Sequence, residues 1–371
     1  MKIPLSAPDI TQAEIDAVTE VLRTPRLSLG PKLAEFERAM AHYIGVRYAV
    51  GVSSGTAGLH LCIRALGIGD GDEVIVPSFT FVAVANAVRY ERATPVFTDI
   101  DAATLNLNPA KVEAAITPRT RAIVVVHTFG VPAEVDAILE IARRHGLAVI
   151  EDACEAIGAE YRGRRVGGFG DAAVFAFYPN KQITTGEGGM VLTRDEKLAR
   201  RVRALRNQGR YDCDDWLQHS EVGYNYRLSE MQCALGIEQM KRVDEILGAR
   251  ERVARRYHER LKGEPLVLPT LTMPHARISW FVYVVRLMPE IGQHRNAILR
   301  ALTAQGIGCG RYFAPIHKQP AYAAWNDVSL PVTEVEAART IALPFFNTIT
   351  SDEQDRVCDV LSAELRRVSG R

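Results

Sequence analysis

The chain has 371 residues, of which 47% are hydrophobic and 24% are charged, and its formal net charge is +1. This length predicts about two domains, and the composition is typical of a soluble globular protein. A net charge so close to zero gives no electrostatic basis for binding nucleic acid or an anionic membrane. No apolar run approaches the ~20 residues of a membrane span, and the first residues lack the apolar core of a secretion signal. We therefore expect a cytoplasmic protein.

Two amphipathic helices are predicted at the start of the chain. In residues 11–23 apolar side chains recur at helical spacing, with Thr11 as the N-cap and Glu14 completing a capping box. A break at Gly30-Pro31 precedes the second helix, which continues through Tyr43.

The run YAVGV, residues 48–52, predicts a buried strand that leads through a tight polar turn into a helix. Residues 53–57 therefore lie at a helix N-terminus, where unpaired backbone N–H groups and hydroxyls suit a phosphate. Simple N-capping by a serine or threonine is the alternative, and this stretch taken alone favours it.

Strands and helices then alternate, which predicts a mostly parallel sheet with helices on both faces. The predicted strands are residues 73–77, 95–100, 122–128 and 147–153, and the predicted helices are residues 80–90, 109–116 and 135–145. In such sheets ligands bind at the carboxyl ends of the strands. Polar groups gather at those ends, among them residues 78–81, His127, Glu151 and Asp152.

Asp152 closes an apolar run, so it is either a cap for the residues that follow or a buried anion that awaits a cation. No lysine or arginine follows until Arg162, which favours a cationic group on a ligand.

The stretch FAFYPNKQITTGEGGM, residues 175–190, places Lys181 between an apolar run and a glycine-rich turn. Removing an ammonium from water favours the neutral, nucleophilic amine that a Schiff-base lysine requires. A loop lysine with its head group in solvent is the alternative. Nearby, GFGDAA fits a dinucleotide-binding pattern, but it precedes a strand rather than opening a helix, so we discard that interpretation.

The remaining chain contains a predicted loop over residues 211–226 and a helical region from Ser229 to about residue 262. A proline-rich link then leads to a smaller α/β unit. Its predicted strands are residues 280–287 and 309–315, and its predicted helices are residues 296–305, 334–341 and 352–368. We predict a large domain over residues 1–250 and a small domain over residues 251–371. The six cysteines form no CxxC pair, which predicts reduced thiols rather than a zinc site.

One ligand would account for all three of these features: a helix N-terminus that suits a phosphate, an acidic residue at the edge of the sheet, and a partly buried lysine. Pyridoxal 5′-phosphate (PLP) carries a phosphate, a protonatable ring nitrogen and an aldehyde that condenses with lysine. A carboxylate beside the ring nitrogen keeps it protonated, and Phe81 or Phe79 could cover the ring face.

Several motifs of the chain are typical of one family: SSGTAGLHLCIRALGIGDGDEVIVPSFTFVA, PVFTDID, VIEDACEAIGA, FYPNKQITTGEGGM, RNQGR and GYNYRLSEMQCALG. Through them the sequence resembles the DegT/DnrJ/EryC1/StrS sugar aminotransferases over nearly its whole length. The resemblance implies the fold-type I α/β architecture: a large PLP-binding domain with a mostly parallel, seven-stranded sheet flanked by helices, and a smaller C-terminal α/β domain. It also implies a homodimer with shared active sites.

The resemblance implies roles for individual residues. Lys181 would form the Schiff base with PLP and shuttle protons, and Asp152 would bind the pyridinium nitrogen. Gly55 and Thr56 would hold the phosphate, and Phe81 would stack on the ring.

Three further residues have implied roles at the substrate or the second subunit. Asn225 would reach the phosphate of the neighbouring subunit's cofactor, Arg227 would support that loop or the substrate, and His317 would contact the nucleotide-linked sugar.

Two positions depart from the family pattern. Ala176 stands where many members have a phosphate-binding serine, and Glu155 stands where many have glutamine or histidine near the cofactor's phenolic oxygen. An anion facing a phenolate would be repelled unless it is protonated or turned aside. A glutamate there resembles the perosamine-synthase-like branch and hints at amination of C4 of the sugar.

The expected activity is transfer of an amino group from glutamate to a keto-deoxy sugar nucleotide, at C4 or C3, for surface-polysaccharide or natural-product biosynthesis. Amination of a cyclitol ketone is an alternative. A non-catalytic PLP-binding regulator would need a DNA-reading element or a basic face, and the sequence offers neither. Sugar dehydratases of the same family have histidine at the lysine position, so Lys181 argues against that activity.

Overall fold

The computed structural model describes residues 2–370. The outer limits of the two predicted domains, residues 1 and 371, lie outside the described residues. In the described part of the chain, no helix is both long enough and apolar enough to cross a lipid bilayer.

The helices begin and end close to the sequence signals for them. They are α1 (Gln12–Leu22), α2 (Pro31–Ile44), α3 (Gly55–Ala65), α4 (Ala83–Tyr90), α5 (Pro109–Ala114), α6 (Val135–His145), α7 (Glu196–Leu205), α8 (Glu230–Lys241), α9 (Val243–Leu261), α10 (Arg295–Ala304), α11 (Pro331–Arg339) and α12 (Ser351–Ser369). The predicted capping box of α1 is present, because the Thr11 backbone N–H donates to Glu14 Oε2 at 2.8 Å. The predicted serine cap of α8 is also confirmed, since Ser229 Oγ accepts from the Gln232 N–H at 3.3 Å.

The strands are β1 (Tyr48–Val52), β2 (Glu73–Pro77), β3 (Thr94–Thr98), β4 (Thr120–Val126), β5 (Ala148–Asp152), β6 (Glu160–Tyr161), β7 (Arg164–Arg165), β8 (Ala172–Ala176), β9 (Gly189–Thr193), β10 (Leu266–Val267), β11 (Ala276–Arg277), β12 (Tyr283–Leu287) and β13 (Thr340–Leu343). Seven of them form one sheet in the order β1-β9-β8-β5-β4-β2-β3. The pairs β8–β5, β5–β4, β4–β2 and β2–β3 are parallel, whereas β9 runs antiparallel to both of its neighbours. The predicted mostly parallel sheet is confirmed.

The antiparallel strand β9 explains where the lysine-bearing stretch lies. Residues 177–188 connect β8 to β9 and leave the sheet at the carboxyl end of β8. Val52 at the end of β1 pairs with Gly189, so the turn that opens α3 meets the same loop. A Cβ atom at Gly189 would lie 2.6 Å from the Ser54 carbonyl carbon, so only glycine allows this close approach.

The C-terminal part of the chain forms a second, three-stranded antiparallel sheet in the order β10-β12-β13. The helices α9, α10 and α12 cover it and share an apolar core that also includes Ile3. A third small sheet joins the two parts of the chain, because β11 pairs with β6 of the β6–β7 hairpin.

The predicted domain boundary between residues 250 and 251 falls within α9. Val243, Ile246 and Leu247 pack into the core beneath the large sheet, whereas Tyr257 and Leu261 belong to the core of the small sheet. This division of contacts along one helix supports the boundary, which stays a prediction.

Several secondary-structure predictions are wrong in detail. The strand predicted at residues 280–287 begins only at Tyr283, and the strand predicted at residues 122–128 ends at Val126. Helix α4 begins at Ala83 rather than at residue 80, because the preceding residues form the turn after β2. Residues 309–315 are not a strand: Gly310 forms one isolated bridge with Ala342, and the rings of Tyr312 and Phe313 pack against Phe129. The helix predicted to end at residue 341 ends at Arg339, since Thr340 and Ile341 pair with β12 in β13.

Candidate active site

A cavity of about 420 Å³ opens at the carboxyl ends of the large sheet. Six of the residues predicted from the sequence line it, although they come from four separate parts of the chain: Gly55, Thr56, Phe81, Asp152, Glu155 and Lys181. The topology brings them together because α3, the turn after β2, the end of β5 and the loop after β8 all meet at this edge.

Lys181 reaches the cavity from the connection between β8 and β9. Its backbone N–H donates to the Tyr178 carbonyl at 2.9 Å, which closes a turn. The side chain is 14% exposed, and its Nζ lies 3.5 Å from Glu155 Oε1 and 3.9 Å from the ring centre of Phe281. The amine is therefore enclosed by protein rather than held in bulk solvent.

Glu155 faces both the lysine and the backbone beyond β4. Its Oε2 accepts a hydrogen bond from the Phe129 N–H at 3.0 Å. Burial raises the pKa of this carboxyl, and the nearby Asp152 adds to the increase, while Lys181 and the Phe129 N–H oppose it. Glu155 is thus a carboxyl group that holds its proton to higher pH than an ordinary glutamate.

Asp152 ends β5 with its carboxylate at the cavity. One oxygen accepts from the Cys154 N–H at 3.1 Å, so the side chain caps the turn that follows. In residues 2–370 no lysine, arginine or histidine forms an ion pair with this carboxylate, which is only 7% exposed. Both interpretations of Asp152 from the sequence, a cap and a buried anion, therefore apply. One oxygen caps the turn, and the carboxylate lacks a cationic partner that a ligand in the cavity could supply.

The start of α3 forms the opposite wall. Ser54 is its N-cap and accepts from the Ala57 N–H at 3.0 Å, as the capping alternative predicted. The first helical turn still leaves the N–H groups of Gly55 and Thr56 without intrahelical partners. A Cβ atom at Gly55 would lie 2.7 Å from Ala176 Cβ and 2.9 Å from Cys154 Sγ. Gly55 therefore packs directly against Ala176, the residue that stands in place of the serine of many family members.

The two aromatic candidates differ sharply in exposure. Phe79 is fully buried and packs against Phe129 and Phe313, whereas Phe81 is 60% exposed and lines the cavity. Phe81 is therefore the ring available to a ligand.

Three of the predicted site residues lie outside the lining of this cavity, and their roles stay predictions. Asn225 is exposed on the segment that bridges to Asn207, and Arg227 donates to Asn207 Oδ1 at 3.1 Å. His317 is buried, with Nδ1 2.6 Å from Ser78 Oγ and Nε2 3.1 Å from Glu334 Oε1. Burial lowers the pKa of His317, and Glu334 opposes that change.

The aromatic side chains that the C-terminal unit contributes to the cavity were not predicted from the sequence. Phe281, Tyr312 and Phe313 line the cavity together with Tyr178 and Asn180. Asn180 Oδ1 is buried without a hydrogen-bond partner in the described residues. The local signal was the run GRYFAP, in which adjacent aromatics sit in a loop between a glycine and a proline, but it does not indicate which surface they face.

His127 directly follows β4 and Glu151 is the penultimate residue of β5, but their side chains lie away from the cavity. Glu151 is completely buried and accepts hydrogen bonds from His127 Nε2 at 3.1 Å and from the N–H groups of Gly167, Phe169 and Gly170 at 2.7–2.8 Å. His127 Nδ1 accepts from the Ala133 N–H at 3.1 Å. This network joins neighbouring loops and does not line the cavity.

The chain is similar to known proteins over nearly its whole length. The model of the DegT/DnrJ/EryC1/StrS aminotransferase family matches residues 8–362. GDP-perosamine synthase of Caulobacter vibrioides is 44% identical over 367 residues, which is 98% of each chain. The structure of DesV from S. venezuelae is 39% identical, has a TM-score of 0.91 and covers 99% of each chain.

The fold is also shared with Spr1654 from Streptococcus pneumoniae, solved in a PLP form. It is 26% identical with a TM-score of 0.94, and the match covers 99% of this chain and 100% of that one. The chain therefore belongs to the DegT/DnrJ/EryC1/StrS aminotransferase family, and it is an aminotransferase with the type I fold.

Proposed function

We propose that this enzyme uses PLP to transfer the amino group of glutamate to C4 of a keto-deoxy sugar nucleotide. The observation that carries the proposal is the convergence of one enclosed amine, one unpaired carboxylate and one helix N-terminus on a single cavity. Amination at C3 and amination of a cyclitol ketone are the competing assignments.

The residues present fit PLP at each of its polar groups. The N–H groups that open α3, beside a glycine with no room for a Cβ atom, suit a phosphate. Asp152 lacks a cationic partner among the described side chains and suits a protonated ring nitrogen. Lys181 is the lysine in the cavity lining and suits an aldehyde. Phe81 offers an exposed ring face to an aromatic ligand.

When bound, PLP supplies an aldehyde that condenses with amines and a ring that withdraws electrons from the adjacent carbon. The Nζ atom of Lys181 serves as nucleophile toward the aldehyde, and as an amine it can take up and return a proton. Asp152 holds positive charge at the ring nitrogen, and the walls formed by Phe281 and Tyr312 limit access of water to Lys181.

Two observations support a sugar nucleotide as the acceptor. GDP-perosamine synthase, by name an enzyme of a nucleotide-linked sugar, is 44% identical over nearly the entire chain. In addition, Glu155 occupies the position at which the sequence resembles the perosamine-synthase-like branch. We extend this to a homodimer in which Asn225 of each chain completes the site of the other, and to a product that serves surface-polysaccharide or natural-product biosynthesis.

The test is to convert the protein to its pyridoxamine phosphate form with glutamate and to add a panel of ketones. The panel contains 4-keto and 3-keto sugar nucleotides and a cyclitol ketone, and absorbance reports return of the aldehyde form. We expect the 4-keto sugar nucleotides to react fastest, and Lys181→Ala to show no turnover with any of them. A response to the cyclitol ketone alone would contradict the sugar assignment.

A further inference from the structure

The ring that faces Lys181 is held by a buried arginine on a different element. Phe281 is 2% exposed, and its ring centre lies 3.9 Å from Lys181 Nζ. The carbonyl oxygens of Trp280 and Phe281 accept hydrogen bonds from Arg250 Nε and Nη2 at 2.8 Å and 2.9 Å. Arg250 lies in α9, which contributes to both apolar cores of the molecule.

The environment of the Arg250 side chain is energetically unfavourable for a cation, which indicates that the residue has a specific task. The side chain is 3% exposed, and its third hydrogen bond goes to the neutral Asn347 Oδ1 at 2.9 Å. No carboxylate pairs with it in residues 2–370. Burial lowers the pKa of the guanidinium to about 10, and Asp9 opposes this change. A buried cation that pairs only with neutral acceptors is costly, so a neutral side chain would serve better if only packing mattered.

The segment that Arg250 holds has a strained backbone. Trp280 has φ of +51°, a backbone conformation that residues other than glycine rarely adopt because it is sterically strained. The segment precedes β12, so its carbonyl groups lack the hydrogen bonds of a sheet. A planar guanidinium can bind two successive carbonyls at once, which a lysine cannot do with the same geometry.

The segment is also tied to the lysine loop from the other side. The N–H groups of Ser279 and Phe281 donate to Gly130 and Phe129 at 3.1 Å and 3.2 Å. Gln182, the neighbour of Lys181, donates to Ser279 Oγ at 3.1 Å and to the Glu155 carbonyl at 2.6 Å. Phe281 is therefore fixed between α9 and the loop that carries the reactive amine.

We infer that Arg250 is a positioning residue, which holds the strained Trp280–Phe281 turn so that the Phe281 ring orients the Nζ atom of Lys181. This inference rests on the proposed function, since it takes Lys181 as the reacting amine. The ring and Glu155 contact the amine from different elements, so displacing the ring leaves the amine held by Glu155 alone.

The experiment measures how fast Lys181 reacts in cofactor-free protein. Pyridoxal 5′-phosphate is added, the bond to the amine is reduced with cyanoborohydride, and the modified peptide is quantified by mass spectrometry. Arg250→Lys and Phe281→Leu should each slow modification of Lys181 by about tenfold or more, because misplacement by ~1 Å can lower rates by about a hundredfold. Arg256→Lys is the matched control: this arginine lies in the same helix and pairs with Asp355, not with the Trp280–Phe281 turn, and its rate should match the unsubstituted protein.

The double variant separates positioning from general destabilisation. If Arg250 acts through the ring, Arg250→Lys combined with Phe281→Leu should react no more slowly than Phe281→Leu alone. Losses that multiply in the double variant, or an unchanged rate in Arg250→Lys, would overturn the inference. Should Arg250→Lys fail to fold by circular dichroism, Asn347→Ala removes the third acceptor of the guanidinium and should show a smaller loss with the same dependence on Phe281.

The outcomes also separate this inference from the proposed function. If the unsubstituted protein shows no modification at Lys181, the proposed function falls and the inference falls with it. Normal modification of Lys181 that is insensitive to Arg250 overturns the inference alone.

Discussion

The Nζ atom of Lys181 lies 3.5 Å from the Oε1 atom of Glu155, and both side chains are largely buried, with exposures of 14% and 7%. Glu155, at the position where the resemblance implies glutamine or histidine in many members, is therefore the neighbour of the amine that we propose reacts with the cofactor. Because the carboxyl is oriented toward both Lys181 and the Phe129 N–H, it is not an isolated anion in the cavity.

Glu155 should make the stability of the cofactor-free protein depend on pH in a defined direction. Its folded-state pKa is raised by burial, so its contribution is complete below the ordinary value of 4.5 and is lost as pH rises through the raised value. Glu155→Gln should remove this decline, which amounts to about 1.4 kcal/mol for each unit of pKa increase. Urea unfolding of both proteins from about pH 4 to pH 8 measures the difference. A constant difference across that range would refute the assignment.

Gly55 should tolerate no side chain unless its neighbour shrinks. A Cβ atom there would lie 2.7 Å from Ala176 Cβ, and such overpacking costs about 1–3 kcal/mol. We expect Gly55→Ala to displace the start of α3 and to weaken PLP binding by about tenfold or more. The double variant with Ala176→Gly should recover part of the affinity, measured by absorbance titration. Equal affinities for the single and double variants would show that the contact with Ala176 is not the cause.

Asn225 should act on the site of the second subunit. Lys181→Ala and Asn225→Ala homodimers should both be inactive or severely impaired, for different reasons. After the two are unfolded and refolded together, about half of the dimers are hybrids, and each hybrid has one site with both native residues. We expect recovery of about one quarter of the unsubstituted activity. The absence of any recovery, with hybrids confirmed by native mass spectrometry, would place Asn225 in its own chain's site or in neither.

Phe79 and Phe81 should respond in opposite ways to truncation, although they are two residues apart. Phe79→Ala removes a fully buried ring and should lower the free energy of unfolding by about 3–5 kcal/mol. Phe81→Ala removes a ring that is 60% exposed and should change that free energy by about 0.5 kcal/mol or less. It should instead weaken PLP binding by about 0.5–1.5 kcal/mol, the value of an aromatic contact. A stable Phe79→Ala protein would contradict this division.

Glu151 should stabilise the fold at neutral pH and lose that effect in acid. Burial alone would raise its pKa, but hydrogen bonds from His127 and from the Gly167 and Gly170 N–H groups outweigh burial and lower it. A carboxyl with a lowered folded-state pKa contributes stability above its unfolded value, and that stability is lost as pH falls through the folded value. Glu151→Gln should cost about 1.5–3 kcal/mol at neutral pH, and the difference should shrink in acid.

The control for Glu151 is the exposed Glu134, whose substitution by glutamine should leave unfolding within about 0.5 kcal/mol of the unsubstituted protein. Urea titrations at several pH values measure both. If Glu151→Gln is as stable as Glu134→Gln at neutral pH, the network does not stabilise the fold.

The sequence was most informative where one stretch carries both an element and its chemistry. Strand β1, the polar turn and α3 follow one another, so the N–H groups at Gly55 and Thr56 could be placed without knowing the fold. Asp152 at the end of β5 was predicted for the same reason, because the direction of a parallel strand fixes which edge of the sheet its last residue reaches. The prediction for residues 309–315 failed because their aromatic side chains pack against Phe129, which is remote in the sequence.

The sequence by itself determined which groups the large-sheet part of the chain contributes to the cavity: the amine of Lys181, the carboxylate of Asp152 and the N–H groups at the start of α3. Each depends on local patterning and on strand direction, which short-range physics controls. The tertiary structure alone decided that Glu155 pairs with Lys181, that Phe81 rather than Phe79 is exposed, and that Arg250 holds the ring of Phe281 over the amine. Those relationships join segments far apart in the chain, and they follow from how the two cores pack against each other, which no periodicity in the sequence records.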